Sequence, residues 1–132
     1  FWLFKKDKKY YMTYDGPGGW MGSDCYYRTA DKLEGPWTEE QEIGMIPEPE
    51  NRKQRSHASQ HRYILNIDGQ WIYGGDRYPY QEPESHPPKN GLHIICPIVW
   101  DGDKPYVIWE EEWDISNYDS TRKAMQKGHL NR

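Results

Sequence analysis

The sequence has few cysteines and no long apolar run. Cys25 and Cys96 are its 2 cysteines. They are too few for a disulfide framework and lack metal-ligand spacing, so we expect two buried free thiols. The longest apolar stretches, such as HIICPIVW, are far too short to cross a bilayer, which argues against a membrane partner. The chain shows no charged-then-apolar leader and begins with Phe1, so we expect either a processed leader or a piece of a longer protein.

The chain also has no excess of basic over acidic residues. The 17 Lys and Arg residues face 21 Asp and Glu residues, which gives a formal net charge of -4. A nucleic-acid partner is therefore not expected, because phosphate binding needs a basic excess. His57, His61, His86 and His93 show no zinc-ligand spacing. We predict no metal and no other cofactor.

Aromatic residues that carry a polar group are abundant. The chain has 7 Trp and 11 Tyr but only 2 Phe. Such rings pack on one side and form hydrogen bonds or stack on the other, which suits carbohydrate faces as well as protein cores. A length of 132 residues is enough for one domain with its own core.

The strand signals predict an all-β protein. Asp68-Gly69 separates two strand-like runs and is the strongest hairpin signal in the chain. Lys6-Asp7-Lys8 and Asp101-Gly102-Asp103 separate two further pairs, so we expect three hairpins. The runs predicted as strands are Trp2 to Lys5, Lys9 to Tyr14, Cys25 to Ala30, Pro36 to Thr38, His61 to Ile67, Gln70 to Tyr73, Leu92 to Trp100 and Pro105 to Trp109.

Long polar segments separate the hairpins. The glycine-rich run DGPGGWMGSD, the Pro-broken residues 44 to 56 and residues 78 to 91 are predicted as loops. We expect residues 1–115 to form the β domain and residues 116–132 to form a short helix or a tail. Repeated hairpins suit the blades of a β-propeller, and a β-sandwich remains the competing arrangement.

Several longer runs resemble one enzyme family. FKKDKKYYMTYDG, GGWMGSDCYYRTADKLEGPW, SQHRYIL, YGGDRY and PIVWDGDKPYVIWEEEWDI occur in this order. Together they resemble the C-terminal half of the catalytic domain of glycoside hydrolase family 43, in the branch of the exo-β-1,3-galactanases. The resemblance extends to about Ile115 and is most specific in ADKLEGPW.

This resemblance implies a fold and an activity. The family is a five-bladed β-propeller, of which this chain would supply two to three blades. It implies an inverting, metal-independent glycosidase that acts on a β-linked galactan or a similar plant polysaccharide and is secreted or periplasmic. Inverting hydrolysis needs a carboxylic acid to protonate the leaving oxygen and a base to activate water. The family's acid Glu would precede Phe1, so we predict that the isolated chain is inactive.

The resemblance also suggests residues for the site. Ser59-Gln60 matches a Ser-Gln motif of the family. The resemblance implies that its Gln positions the attacking water, although an amide is a poor proton acceptor. Trp20 would stack on a sugar ring.

Four further residues are predicted to bind substrate. They are Asp15, His57, Asp76 and Arg77. Asp76 and Arg77 occupy the position of the family's Gly-Asp-Arg-Trp motif. The two residues would form an ion pair, or Arg77 would contact sugar hydroxyls. The polar residues at both ends of the Ser56–Tyr78 hairpin are expected to meet at one end of a blade.

Two other functions remain open at this stage. A non-catalytic carbohydrate-binding or degenerate propeller fragment would keep Trp20 and the tyrosines without an acid. A β-sandwich interaction domain would show a closed two-sheet topology. Exposed blade edges also favour self-association or a companion chain.

Overall fold

A four-stranded antiparallel sheet opens the chain. The structure, a computed structural model, describes residues 1–16, 22–77 and 92–128. The strands of the first sheet lie in chain order: β1 (Trp2–Lys6), β2 (Lys9–Asp15), β3 (Cys25–Ala30) and β4 (Gln41–Glu42). In β2, buried Tyr11 and Thr13 alternate with more exposed neighbours, which is the two-residue period of a strand with one face in the core.

The second sheet has five strands. They are β5 (Gly44–Ile46), β6 (Ser59–Ile67), β7 (Gln70–Arg77), β8 (Leu92–Asp101) and β9 (Lys104–Ile108), in the order β5-β9-β8-β7-β6. Strands β6 to β9 form an antiparallel meander, and β5 pairs in parallel with β9. Between β4 and β5, the Ile43 amide donates to the Cys25 carbonyl at 2.9 Å. The chain from β4 to β5 therefore joins the two sheets.

All three predicted hairpins are confirmed. They are β1–β2, β6–β7 and β8–β9. In the β6–β7 turn both Asp68 and Gly69 have positive φ, at 50° and 94°. This is the type I′ geometry that matches strand twist and that an Asp-Gly pair favours.

The hydrophobic core lies between the sheets. Tyr11 and Tyr27 from the first sheet meet Ile64, Tyr73 and Ile98 from the second. Both cysteines are buried free thiols, as predicted. Partly buried aromatic residues complete this cluster: Trp2, Phe4, Trp71, Trp100 and Trp109.

The first strands of the two meanders face each other. The Trp2 indole Nε1 donates to the Ile64 carbonyl at 2.9 Å, which links β1 to β6. The Ser23 amide, just before β3, donates to the carbonyl of Ser59 at the start of β6 at 3.2 Å. The end of β2 and the start of β6 are therefore neighbours, and this contact positions the site.

A short helix closes the described chain. Helix α1 (Ser120–Gln126) begins after Asp119, whose Oδ1 accepts from the Arg122 amide at 3.0 Å. Its Ala124 packs against Val99 and Ile108. Two 3₁₀ segments span Arg52–His57 and Ile115–Asn117. Within the described residues, no helix has the length and apolarity needed to span a membrane.

Two predictions about local structure were wrong. Residues 36–38 do not form a regular strand, although the Thr38 amide donates to the Thr29 carbonyl at 2.8 Å and holds this segment against β3. Residues 44–56 are not simply a surface loop, because β5 occupies Gly44–Ile46 with Met45 and Ile46 buried. A three-residue strand that pairs in parallel has too little local pattern to be read from sequence.

Candidate functional site

The polar residues that bracket the β6–β7 hairpin meet at one end of the second sheet. The pairing register sets Ser59 opposite Arg77 and Gln60 opposite Asp76. The predicted convergence is therefore confirmed. The same register continues into β8, where His93 lies opposite Asp76.

A cleft of about 580 Å³ opens at this end, between the first and second sheets. Two carboxylates, two histidines and several aromatic rings line it: Phe1, Trp2, Tyr14, Asp15, His61, Arg62, Tyr63, Asp76 and His93. This volume is in the range of small-molecule sites, and its mixture of rings and hydrogen-bonding groups suits a polyhydroxylated ligand.

Asp15 is the half-buried carboxyl of the cleft. Its Oδ1 accepts from the His61 amide at 2.7 Å and from the Cys25 thiol at 3.4 Å. Burial raises the pKa of Asp15 above its ordinary value, and the hydrogen bond from His61 opposes that shift. Asp15 was predicted to bind substrate, and the structure places it in the cleft.

A hydrogen-bonded network supports Asp15 from below. The Cys25 thiol lies 3.1 Å from Ser56 Oγ, and Ser56 Oγ donates to the Ser23 carbonyl. Ser59 Oγ donates to the Ser56 carbonyl at 2.5 Å and lies 2.8 Å from the Tyr73 hydroxyl. Burial raises the pKa of the Cys25 thiol, so this group stays protonated and acts as a donor. Ser59 is therefore a structural residue of the floor.

His61 is the buried histidine of the cleft. Its Nε2 lies 2.7 Å from Thr13 Oγ1, and its ring is only 7% exposed. Burial lowers the pKa of His61 to about 4, so the ring is neutral near neutral pH. A neutral ring can hold Thr13 in place without bringing a charge into the cleft.

A β-bulge changes the direction of the Arg62 and Tyr63 side chains. The register of β6 against β7 shifts between His61 and Tyr63, so Arg62 is the additional residue. The Tyr63 ring then lies across Gly74, where a Cβ atom would come within 2.2 Å of the phenol Cζ. Only glycine at position 74 leaves room for this ring.

Asp76 is the charge-paired carboxylate of the cleft. Its Oδ2 lies 3.1 Å from Arg62 Nε, and its Oδ1 lies 3.2 Å from His93 Nδ1. The predicted ion pair between Asp76 and Arg77 is not present. Adjacent strand residues point to opposite faces of the sheet, so Asp76 faces the cleft and Arg77 faces away from it.

Arg77 and His57 lie together on the other face. Arg77 Nη2 donates to the His57 carbonyl at 2.5 Å, and its guanidinium lies 4.4 Å from the Trp109 ring centroid. His57 is 8% exposed, and its Nε2 lies 2.9 Å from the Val107 carbonyl. Burial lowers the pKa of His57, which keeps the ring neutral. Neither residue lines the cleft.

Gln60 and Trp20 complete the predicted set. Gln60 is half-buried and lies opposite Asp76 in the pairing of β6 with β7, but it is not among the residues that line the cleft. Trp20 lies outside the described residues.

Sequence reasoning missed seven of the nine residues that line the cleft. They are Phe1, Trp2, Tyr14, His61, Arg62, Tyr63 and His93. Strand alternation around Asp76 could have indicated His93, and Gly74-Gly75 marks a place where a side chain crosses the strand. No comparable sequence pattern indicates the bulge that brings Arg62 to Asp76. Among the described residues, no three His, Cys, Asp or Glu side chains are grouped closely enough to hold a metal ion.

A second cavity of about 340 Å³ lies on the outer side, near β5 and β9. Asp24, Glu42 and Glu48 line it, together with Lys104 and the Tyr106 ring. None of the predicted site residues that the structure describes lies in this cavity. We therefore regard the cleft between the sheets as the candidate site.

Comparison with known proteins shows which solved structures share this architecture. Neither a protein-family profile nor a curated protein matches the sequence. Solved structures do match. A family 43 β-1,3-galactosidase aligns over 94% of this chain and 24% of its own, with a TM-score of 0.67 and 23% identity. The chain shares its fold with part of a family 43 domain.

Two further family 43 structures also share this fold. A β-1,3-galactosidase in complex with galactodeoxynojirimycin aligns over 85% of this chain and 31% of its own, with a TM-score of 0.66 and 24% identity. The exo-β-1,3-galactanase of Clostridium thermocellum aligns over 80% of this chain and 22% of its own, with a TM-score of 0.61 and 20% identity. The chain thus spans less than a third of these structures. The predicted resemblance is confirmed in fold.

Proposed function

We propose that this chain is part of the catalytic domain of a family 43 exo-β-1,3-galactanase, which removes galactose from a β-1,3-linked galactan with inversion. The observation that carries the proposal is the polar, aromatic cleft at the junction of two meander sheets whose fold matches family 43 galactosidases. The Phanerochaete chrysosporium exo-β-1,3-galactanase, which aligns over 87% of this chain with a TM-score of 0.65 and 20% identity, is known as a complex with β-1,3-galactotriose.

Each sheet would be one blade of a five-bladed propeller. The two strands that face each other, β1 and β6, would then line the central channel. The matched segment covers 31% of one galactosidase and 22% of one galactanase, so the remaining blades are proposed to come from sequence outside these 132 residues.

The cleft would hold the terminal galactosyl unit. Asp76 and Arg62 offer an acceptor and a donor, and Asp15 offers a carboxyl that is partly shielded from water. Paired donors and acceptors distinguish hydroxyl configurations because a mismatched sugar leaves buried polar groups unsatisfied. Trp20 is proposed to stack on the sugar ring, and Arg77 and His57 to support the cleft from behind.

Catalysis would divide between this chain and the other blades. A general acid contributes about 10²- to 10⁴-fold to such a reaction. The family resemblance assigns this role to a Glu outside the chain. Gln60, which lies opposite Asp76 in the strand pairing, would orient the attacking water through its carbonyl oxygen. The described carboxyls of the cleft are less suited, since Asp76 is charge-paired and Asp15 already accepts two hydrogen bonds.

The substrate suggests where the protein works. A polymeric galactan lies outside the cell, so we propose that the protein is secreted or periplasmic and takes part in polysaccharide degradation. No cofactor or metal is needed for this chemistry.

The test is hydrolysis of β-1,3-galactan by two proteins, the 132-residue chain alone and a protein extended through all the missing blades, including the blade that carries the acid. We expect the longer protein to release galactose as the inverted anomer, observed by proton NMR, and the short chain to remain at background. Binding of galactan by the longer protein without any turnover would favour the non-catalytic carbohydrate-binding alternative. Turnover by the short chain that disappears in Asp15→Asn would assign the acid to Asp15 and contradict this division of roles.

A further inference from the structure

A chain of four polar side chains crosses the cleft wall formed by β6, β7 and β8. The Tyr63 hydroxyl lies 2.8 Å from His93 Nε2, and His93 Nδ1 lies 3.2 Å from Asp76 Oδ1. The second carboxylate oxygen of Asp76 lies 3.1 Å from Arg62 Nε. The Tyr63 and His93 rings also stack, with centroids 5.5 Å apart.

These contacts fix where the protons lie. A carboxylate next to a guanidinium can only accept, so His93 Nδ1 must carry the proton that is shared with Asp76. In the neutral ring, Nε2 is then an acceptor. The Tyr63 hydroxyl therefore donates its proton to His93, and its oxygen lone pairs remain directed away from His93.

We propose that Asp76 and His93 are positioning residues that set the hydrogen-bond polarity of the Tyr63 hydroxyl, and that this hydroxyl selects among the hydroxyl groups of the ligand. The identity of the ligand as a galactosyl unit rests on the proposed function. The arrangement of Tyr63, His93 and Asp76 does not.

Protonation of His93 reverses this polarity. When His93 gains a proton, both ring nitrogens donate, and Nε2–H points at the Tyr63 oxygen. The Tyr63 hydroxyl proton is then free to turn toward the ligand. The same hydroxyl accepts from a ligand hydroxyl when His93 is neutral and donates to a ligand oxygen when His93 is charged.

Other ionisable groups face the cleft, and they can be separated from His93. On β2 these are Tyr14 and Asp15, on β6 His61, Arg62 and Tyr63, on β7 Asp76, and before β1 the amino group of Phe1. Burial lowers the pKa of His61 to about 4, so it remains neutral above that pH. Asp15, whose pKa is raised by burial, is removed as a variable by repeating the measurements in Asp15→Asn.

The first arm of the test needs no ligand. Nitrogen-15 NMR of the histidine rings in the 132-residue chain reports which nitrogen of His93 is protonated. We expect the Nδ1–H form in the wild type and a mixture of both tautomers in Asp76→Asn, because an amide can donate as well as accept. Tyr63→Phe should alter the Nε2 resonance and leave Nδ1 protonated. Tyr10→Phe, which removes a phenol hydroxyl near the β1–β2 turn, is the matched control and should change neither.

The second arm uses galactose and analogues in which single hydroxyls are replaced by hydrogen or by fluorine. The histidine NMR of the first arm identifies one condition in which His93 is neutral and one in which it is charged. In the neutral form, both replacements at the position that meets Tyr63 should weaken binding equally, by about three- to tenfold. In the charged form the fluoro analogue should bind about threefold better than the deoxy analogue, because fluorine can accept from the freed hydroxyl. Tyr63→Phe should abolish this difference.

The two arms fail in different ways. A neutral His93 protonated at Nε2 would overturn the positioning by Asp76, whatever the ligand. Equal affinities of the deoxy and fluoro analogues with His93 neutral and with His93 charged, in a chain that binds galactose, would overturn the role of Tyr63 in selection. Absence of galactose binding together with the Nδ1–H tautomer would overturn the proposed ligand and leave the positioning by Asp76 standing.

Discussion

His61 on β6 and Thr13 on β2 share a buried hydrogen bond, with 2.7 Å between His61 Nε2 and Thr13 Oγ1. This contact joins the two sheets directly beneath the cleft. Both residues are almost completely buried, so neither atom can exchange its partner for bulk water. The stability of the sheet junction should therefore depend on it.

Replacing Thr13 with Val keeps the shape of the side chain and removes the hydroxyl. His61 Nε2 would be left buried without this partner, which typically costs about 1–3 kcal/mol. We expect urea denaturation to show a loss of this size. Thr121→Val on helix α1 is the control and should change the free energy of unfolding by only about 0.5 kcal/mol or less. Equal effects of the two variants would show that the Thr13 hydroxyl contributes nothing specific.

The low pKa of His61 predicts how stability depends on pH. The unfolded chain takes up a proton on this residue at about pH 6.5, whereas the folded protein does so only at about pH 4. Stability is therefore complete above about pH 6.5 and falls as the pH drops toward 4, by ~3 kcal/mol at most. Buried His57 acts in the same direction, and Asp15, whose folded pKa is raised, opposes it at lower pH.

Unfolding free energies measured between about pH 7.5 and about pH 4.5 check this expectation. His61→Gln should flatten the dependence because glutamine has no proton to gain. An unchanged slope in His61→Gln would assign the effect to other groups.

Gly74→Ala tests the packing of Tyr63. The added Cβ would lie 2.2 Å from the phenol Cζ, so the ring must leave its place or the strand must move. We expect a loss of about 1–3 kcal/mol, as for other overpacked sites, and a change in the His93 Nε2 resonance while Nδ1 stays protonated. Gly44→Ala creates the same 2.2 Å clash with Tyr106, which does not line the cleft. That control should lose stability but keep the Nε2 resonance, and a changed Nε2 resonance in both variants would contradict the local explanation.

Gln60→Ala tests the proposed positioning of water in the longer protein. A contact made mainly in the transition state should affect turnover more than ground-state binding, so we expect kcat to fall far more than KM rises. Near-normal kcat on β-1,3-galactan would leave Gln60 with a structural role only. Gln126→Ala on helix α1, away from the cleft, is the control.

The sequence predicted the features that depend on local pattern. Asp68-Gly69 indicated the central hairpin, and the alternation of polar and apolar residues indicated the strands around it. The position of this turn fixes the pairing of β6 with β7, so Gln60 and Asp76 must lie at the same end of the hairpin. The position of the cleft could therefore be predicted.

Other features depend on contacts that are distant in sequence. Strand β5 pairs in parallel with β9, some sixty residues away, and its three residues show no useful period. The bulge at Arg62 determines which side chains reach Asp76, and it follows from the packing of Tyr63 on Gly74. The predicted Asp76–Arg77 pair, by contrast, was excluded by strand alternation alone.

The most direct test of the central claim is to locate sugar binding on the chain itself. Amide chemical-shift mapping of the 132-residue protein with β-1,3-galactotriose should give changes concentrated at the cleft, around Asp15, His61, Tyr63, Asp76 and His93. Trp20→Ala should weaken the binding with little change in the melting temperature, and cellotriose at the same concentrations should leave the spectrum unchanged. Shift changes centred on the outer cavity near Tyr106, or equal responses to galactotriose and cellotriose, would contradict the account.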